Sequence, residues 1–522
     1  MQNANKKKTN NEQQNVKAEK KSFLYRFLEK VEVAGNKLPH PFILFVGLVG
    51  LVMVFSFIFA KLGVSATHPV KNEVVNVRNL LSREGFSYII LNLLKNFTGF
   101  RPLGLVLSMM IGIGLAEKAG LMSSFMRKFI LGAPEKLLIM AVFLIGICGN
   151  VASDAAVIIV PPLAGAVFYG AKKNPLVGVA AGYAAACAGF TANLVIAGTD
   201  ALLAGVTEEA AHIIDASITV SPLVNYYFMF ASTIVLTVVG AWITKNVVEK
   251  QAGEYIPEGD LVVDTDSYQL TEEENKGLRS AGITSLVYWG SIIALMIPSN
   301  SVLRGADGGI ANGLFIKGII PFILFWFIAV GIAYGKKAGT IKEAADVPKL
   351  MAKAMEEMAS YIIFVFVIAQ FVSFFNWTNL GLILAVKMGD LLKISGFTGF
   401  PMVIGVVLVT MFINLFLGSG SAKWALLSPV FVPMFMMLDY SPEFAQLAYR
   451  IGDSTTNAIS PLFPYIAIVL GFMQKYKKDA GLGTLFAMMM PYTFGFGLVW
   501  IVQLAIWFYF KIPMGPGASI FM

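Results

Sequence analysis

The segment AYRIGDSTTNAISP, residues 448–461, joins two stretches apolar enough to lie in a lipid bilayer. It carries an arginine, an aspartate, a glycine, an asparagine and a run of Ser, Thr and Pro. A charge at mid-bilayer costs roughly 2.5–3.5 kcal/mol on insertion scales, so such residues face a cavity or a partner. Arg450 and Asp453 are three apart, a spacing that lets them pair on one helical face. The TTN that follows, 455–457, breaks the helix beside them.

The rest of the chain bears out a membrane setting. Of 522 residues, 57% are hydrophobic and 14% charged, against about 25% charged in soluble proteins. The runs 42–60, 281–298 and 318–334 carry almost no charge and reach the roughly 17–25 residues a spanning helix needs. Long unbroken apolar runs argue against a barrel, which needs short alternating strands. The net charge of +8 falls in short loops, where it orients spans rather than binding nucleic acid. Cys148 and Cys187 lie in apolar segments, so a disulfide framework and a zinc site are both disfavoured. The lysine-rich start, residues 1–22, reads as a disordered cytoplasmic tail, not a cleavable signal.

Loop charge then sets a topology with the N-terminus inside. Spans are expected near 42–61, 102–118, 176–200, 222–244, 281–298, 316–335, 356–375, 443–473 and 484–510. The acidic stretch holding Glu208, Glu209 and Asp215 is expected as an outer loop. Two stretches, 136–171 and 400–438, are interrupted by GNVASD (149–154) and GSGSAKW (418–424). They read as re-entrant hairpins that enter from opposite sides. The stretches 85–99 and 378–396 read as amphipathic interface segments. The expectation is an all-α polytopic membrane protein with about nine transmembrane helices and two hairpins.

An internal repeat links the interrupted stretches. Ser153 precedes Pro161 by eight residues in SDAAVIIVP, and Ser421 precedes Pro429 by eight in SAKWALLSP. Each is followed by a broken span, with TAN at 191–193 and TTN at 455–457. Opposite loop charges make this an inverted repeat, a pointer to secondary transporters. Unwound backbone in a membrane must be buried in protein or line a wet cavity. Its carbonyls can coordinate a cation, while half-helix N-termini favour an anion. Ser153, Asn193 and Asn457 are thus candidate site residues, although both asparagines can equally serve the broken backbone.

With these motifs in place, the sequence resembles the AbgT family of bacterial p-aminobenzoyl-glutamate transporters. The resemblance is carried by NKLPHP (36–41), KNFTGFRPLG (95–104), GLAEKAGL (114–121), TANLVIAGTDALLAG (191–205), GSGSAKWALLSPVFVPM (418–434), YRIGDSTTN (449–457) and KYKKDAGLGTL (475–485). It implies a homodimer in the bacterial inner membrane, each subunit with a scaffold domain and a core domain. The core comprises 137–221 and 400–473, each a hairpin with its broken helix. The scaffold lies mainly in 23–136 and 222–399, and 474–522 forms the last span. It also implies a small aromatic anionic substrate, p-aminobenzoyl-glutamate for import or sulfonamide-type antimetabolites for export.

Carried over by position, the family's functional residues fall on Asp200, Ser421, Trp424, Pro442, Arg450, Asp453 and Pro461. Arg450 suits a bidentate pair with a substrate carboxylate, and Trp424 offers an aromatic face. Asp200 and Asp453 are candidate carriers of the coupling ion, H+ or Na+. Asp453, with Arg450 nearby, suits Na+ together with Asn414 and a Gly418 carbonyl. Asp200 lacks a partner in sequence and suits a proton, unless it sits at the outer interface. Asp154 and Lys423 receive no role; they either pair locally or snorkel. No cofactor is implied.

Three classes remain. A secondary transporter leads, because no G-x-x-x-x-G-K-[ST] motif for ATP occurs. An ion channel or cation/proton antiporter without an organic substrate is the alternative. An intramembrane enzyme has neither a zincin motif nor paired catalytic carboxylates in its favour.

Overall fold

In a computed structural model, residues 39–152, 155–255, 268–305, 308–310 and 313–522 are described. The basic tail and Ser153 lie outside the described residues. The architecture is helical, apart from one short antiparallel ribbon, Ser65–Thr67 with Val74–Asn76.

The chain enters through α1 (Pro41–Lys61), whose first turn is fixed by Pro41 and by His40 accepting the Phe42 N–H. After the ribbon come α2 (Arg83–Thr98) and α3 (Arg101–Lys118), separated at Gly99–Phe100. Then follow α4 (Leu121–Leu131), α5 (Leu138–Cys148) and α6 (Ala155–Gly170). The helices α7 (Pro175–Ala188) and α8 (Gly198–Ala211) flank the first break. The middle of the chain holds α9 (Tyr226–Ile243), α10 (Glu272–Met296), α11 (Ile319–Ala338), α12 (Asp346–Glu357), α13 (Ala359–Trp377) and α14 (Leu380–Ser395). The second paired set is α15 (Gly399–Asn414) and α16 (Gly420–Met436), followed by α17 (Pro442–Thr455) and α18 (Ile466–Gln474) around the second break. The last helix is α19 (Leu482–Phe510).

Among the described residues, seven helical stretches are long and apolar enough to cross a bilayer, or eight if a pair bent by 114° is one span. The sequence expectation of about nine also counted the broken stretches α7–α8 and α17–α18. Each half of these is too short to qualify alone. The helices α5, α6, α15 and α16 have 11, 16, 16 and 17 residues. At 1.5 Å per residue they extend about 16–26 Å, short of a hydrocarbon core of about 30 Å.

One detail differs from expectation. Glu208 and Glu209 lie within α8 rather than in an outer loop. Glu208 is buried and forms an ion pair with Arg101 at the start of α3, so the helix continues past them. Before residue 101, the ribbon is followed by α2, which occupies the stretch 85–99 read as an amphipathic segment.

The core around the breaks depends on small residues. Every residue of α7 is buried, in the run PLVGVAAGYAAACA. Alanine and glycine let neighbouring helices approach to backbone distance, the usual basis of packing in lipid. A Cβ on Gly182 would lie 2.8 Å from the Pro161 Cα on α6, so that crossing demands glycine.

Candidate functional site

Helix α17 is buried along its length and carries both charges of the opening motif, but they do not pair with each other. Arg450 Nη2 lies 2.7 Å from Asp200 Oδ1 and donates to the Thr191 carbonyl at 2.7 Å. Asp453 Oδ1 lies 2.6 Å from Lys423 Nζ on α16. The i,i+3 spacing permits a contact within the helix, yet each side chain leans to a different neighbour and finds its counter-charge there. The pairing expected from spacing is replaced by two pairs that cross between segments.

Asp200, without a partner in sequence, thus has one in the fold. It is 7% exposed, and its Oδ2 also accepts the Ala197 N–H, closing the first turn of α8. Arg450 is 1% exposed, and its Nε has no hydrogen-bond partner among the described residues. Removing one member of such a buried pair leaves an uncompensated charge, a loss of about 3–5 kcal/mol.

Lys423, given no role from sequence, is fully buried. Its ammonium also donates to Asn414 Oδ1. The Asn414 amide nitrogen faces the Asp453 carbonyl at 2.6 Å, Thr456 Oγ1 at 2.8 Å and Asn457 Oδ1 at 2.9 Å. Asn414 thus ties the end of α15 to the break after α17. Gly418 packs against the other side of that break, where a Cβ would lie 2.9 Å from the Leu462 carbonyl oxygen. Among the described residues no three His, Cys, Asp or Glu side chains gather as a metal site.

The first half holds a matching link. Asn193 Nδ2 donates to Asn150 Oδ1, and Asn150 Nδ2 donates to the Ile147 and Ala192 carbonyls. Asn150 and Asn193 are 43 residues apart, as are Asn414 and Asn457. In both halves, an asparagine at the end of a short helix holds an asparagine at a break. Sequence reading had Asn193 and Asn457 but not Asn150; the equal spacing was the available signal.

Trp424 is fully buried against Tyr449, with ring centroids 4.5 Å apart and planes tilted by 30°. Its Nε1 donates to Thr207 Oγ1 at 2.9 Å, and Thr207 donates to Gln446 at 2.6 Å. Tyr449 Oη donates to the Gly420 carbonyl at 2.5 Å and lies 3.2 Å from Asp453 Oδ1. Trp424 and Asp453 are thereby joined through Tyr449, which sequence reasoning did not single out. Thr191 Oγ1 meets Ser454 Oγ at 2.7 Å, docking the first break on α17.

The remaining expected residues occupy the periphery. Ser421 is in the first turn of α16, its hydroxyl 3.2 Å from that of Ser419. Pro442 opens α17, about 12 Å along the axis from Arg450. Pro461 follows Ser460, whose hydroxyl donates to the Asn414 carbonyl at 3.1 Å. Arg450, Asp200, Lys423, Asp453 and Trp424 are all shielded from solvent.

Paired charges at two mutually docked helix breaks, inside a polytopic helical bundle, are the arrangement expected of a membrane transporter. The chain belongs to the "AbgT putative transporter family", whose sequence profile matches residues 26–522. It is 41% identical over 495 residues to the p-aminobenzoyl-glutamate transport protein of Escherichia coli (strain K12), spanning 95% of this chain and 96% of that one. Two solved structures share the fold. The YdaH transporter of Alcanivorax borkumensis, described as having an unusual topology, superposes with a TM-score of 0.87 at 38% identity. That match covers 92% of this chain and all of the other. MtrF of Neisseria gonorrhoeae, described as illuminating a class of antimetabolite efflux pumps, gives 0.88 at 40% identity, over 94% of this chain and all of that one.

Proposed function

We propose that this protein is a secondary active transporter of p-aminobenzoyl-glutamate and of sulfonamide-type antimetabolites in the bacterial inner membrane. A proton or sodium gradient drives it. It works as a homodimer with cytoplasmic N-termini, each subunit having nine spans and two re-entrant hairpins. The segments 137–221 and 400–473 form the moving core as an inverted repeat, and 23–136 with 222–399 supply most of the scaffold.

The observation that supports this reading best is Arg450. A guanidinium carries five N–H donors, and the buried Nε here has no partner among the described residues. A glutamate carboxylate of the substrate suits that donor together with the neighbouring Nη2, in competition with Asp200. The ring of Trp424 lies in the same cluster to receive the aminobenzoyl group.

Proteoliposome counterflow of labelled p-aminobenzoyl-glutamate tests the reading. Saturable exchange, abolished in Arg450→Ala and converted to accumulation by an imposed H+ or Na+ gradient, is the expected result. Ionic current without organic flux overturns it in favour of a channel or a cation/proton antiporter.

A further inference from the structure

Lys423 has no part in the substrate contacts just described, yet among the described residues no ionisable side chain is more deeply enclosed. Its ammonium lies between two oxygens, Asp453 Oδ1 at 2.6 Å and Asn414 Oδ1. These are the side-chain oxygens that a sodium ion at Asn414, Gly418 and Asp453 would need. A hard cation requires several oxygens converging on one point, and here the point is held by a positive charge of the protein itself. A second cation among the same oxygens would touch the ammonium in a site shielded from bulk solvent, where like charges repel strongly.

The internal repeat offers a comparison for this pair of charges. The Ser–Pro motifs align Ser421 with Ser153, which places Ala155 opposite Lys423. The two asparagine links align Asn457 with Asn193, which places Gly189 opposite Asp453. One half has both charges and the other has neither, while the asparagine framework persists in both. The contact between Lys423 and Asp453 is thus particular to the second half.

We propose that Lys423 is the resident cation of this site. Its ammonium neutralises Asp453, fastens α16 to the second break, and takes the place of sodium at Asn414, Gly418 and Asp453. Lys423 is accordingly a positioning residue, acting through Asp453 and Asn414. This deepens the transport reading and rests on it for the task of the site.

Thermal unfolding of the purified protein in sodium chloride and in choline chloride at equal ionic strength tests it without any flux measurement. A specifically bound ion raises the midpoint with its concentration. The wild-type protein is expected to show the same midpoint in both salts. Lys423→Met is expected to unfold at lower temperature and to become stabilised by sodium, because the carboxylate loses its tethered partner. Lys423→Met with Asp453→Asn removes both charges and should lose that sodium response. Sodium stabilisation of the wild-type protein that disappears in Asp453→Asn overturns the proposal. So does a Lys423→Met protein that melts like the wild type in both salts. A protein that passes these tests but moves no p-aminobenzoyl-glutamate refutes the transport reading alone.

Discussion

Arg450 pairs with Asp200 of the other half of the repeat, not with Asp453 one turn further along its own helix. The buried guanidinium is thus a strut between α17 and α8, with the Thr191 carbonyl as its second support. Arg450→Ala should abolish flux and also lower stability by about 3–5 kcal/mol, because Asp200 is left unpaired. Adding Asp200→Asn should recover part of the stability and none of the flux. Lysine at 450 should rescue poorly, since an ammonium lacks the planar fork. Denaturation midpoints and uptake assays on the three variants read both effects; normal flux in the alanine protein would sink the assignment.

Asp200 competes with any substrate carboxylate for the same guanidinium. Asp200→Asn keeps an oxygen for the Ala197 N–H but gives up the negative charge. Substrate should then bind several-fold more tightly while gradient-driven accumulation is lost. Isothermal titration beside proteoliposome accumulation separates the two outcomes. Unchanged affinity would show that the substrate does not meet Arg450.

Trp424 combines a ring stack with one hydrogen bond, and two substitutions divide them. Phenylalanine keeps a ring against Tyr449 and gives up the bond to Thr207, a loss of about 0.5–1.5 kcal/mol. Alanine empties a fully buried position at a cost of about 3–5 kcal/mol. Substrate affinity should fall in both, more in the alanine protein. Affinity that survives both changes would assign Trp424 to packing alone.

The two asparagine links are matched in spacing but not in strength. Asn150 serves two carbonyls and Asn193. Asn414 serves Lys423, the Asp453 carbonyl, Thr456 and Asn457. Each buried group left without a partner costs about 1–3 kcal/mol. Asn414→Ala should therefore lower the melting midpoint more than Asn150→Ala. Equal losses would mean that the Lys423 contact adds nothing.

The long helices were legible because hydropathy alone marks them. The expected spans 42–61 and 484–510 meet Pro41–Lys61 and Leu482–Phe510. The span expected from 281 begins earlier, at Glu272, because the polar run EEENKGLRS does not look lipid-bound. It is helical through a capping box in which Thr271 and Glu274 exchange side-chain and backbone bonds. Partner choice among buried charges was not legible. Spacing describes neighbours on one helix, whereas Arg450 and Asp453 found partners on others. Lys423 was missed for a related reason: a lysine's stem and head fit both a snorkelling and an enclosed position, and only the fold distinguishes them.

The two charge pairs have an electrical consequence. Arg450 with Asp200 and Lys423 with Asp453 sum to zero when all four are ionised. Moving one elementary charge through the membrane potential involves about 2.3 kcal/mol per 100 mV. If these pairs stay intact as the empty core moves, that step transfers no net charge from them and should turn over at a rate indifferent to voltage. The electrical work of the cycle then falls on the cargo: an anionic substrate and whatever cation accompanies it.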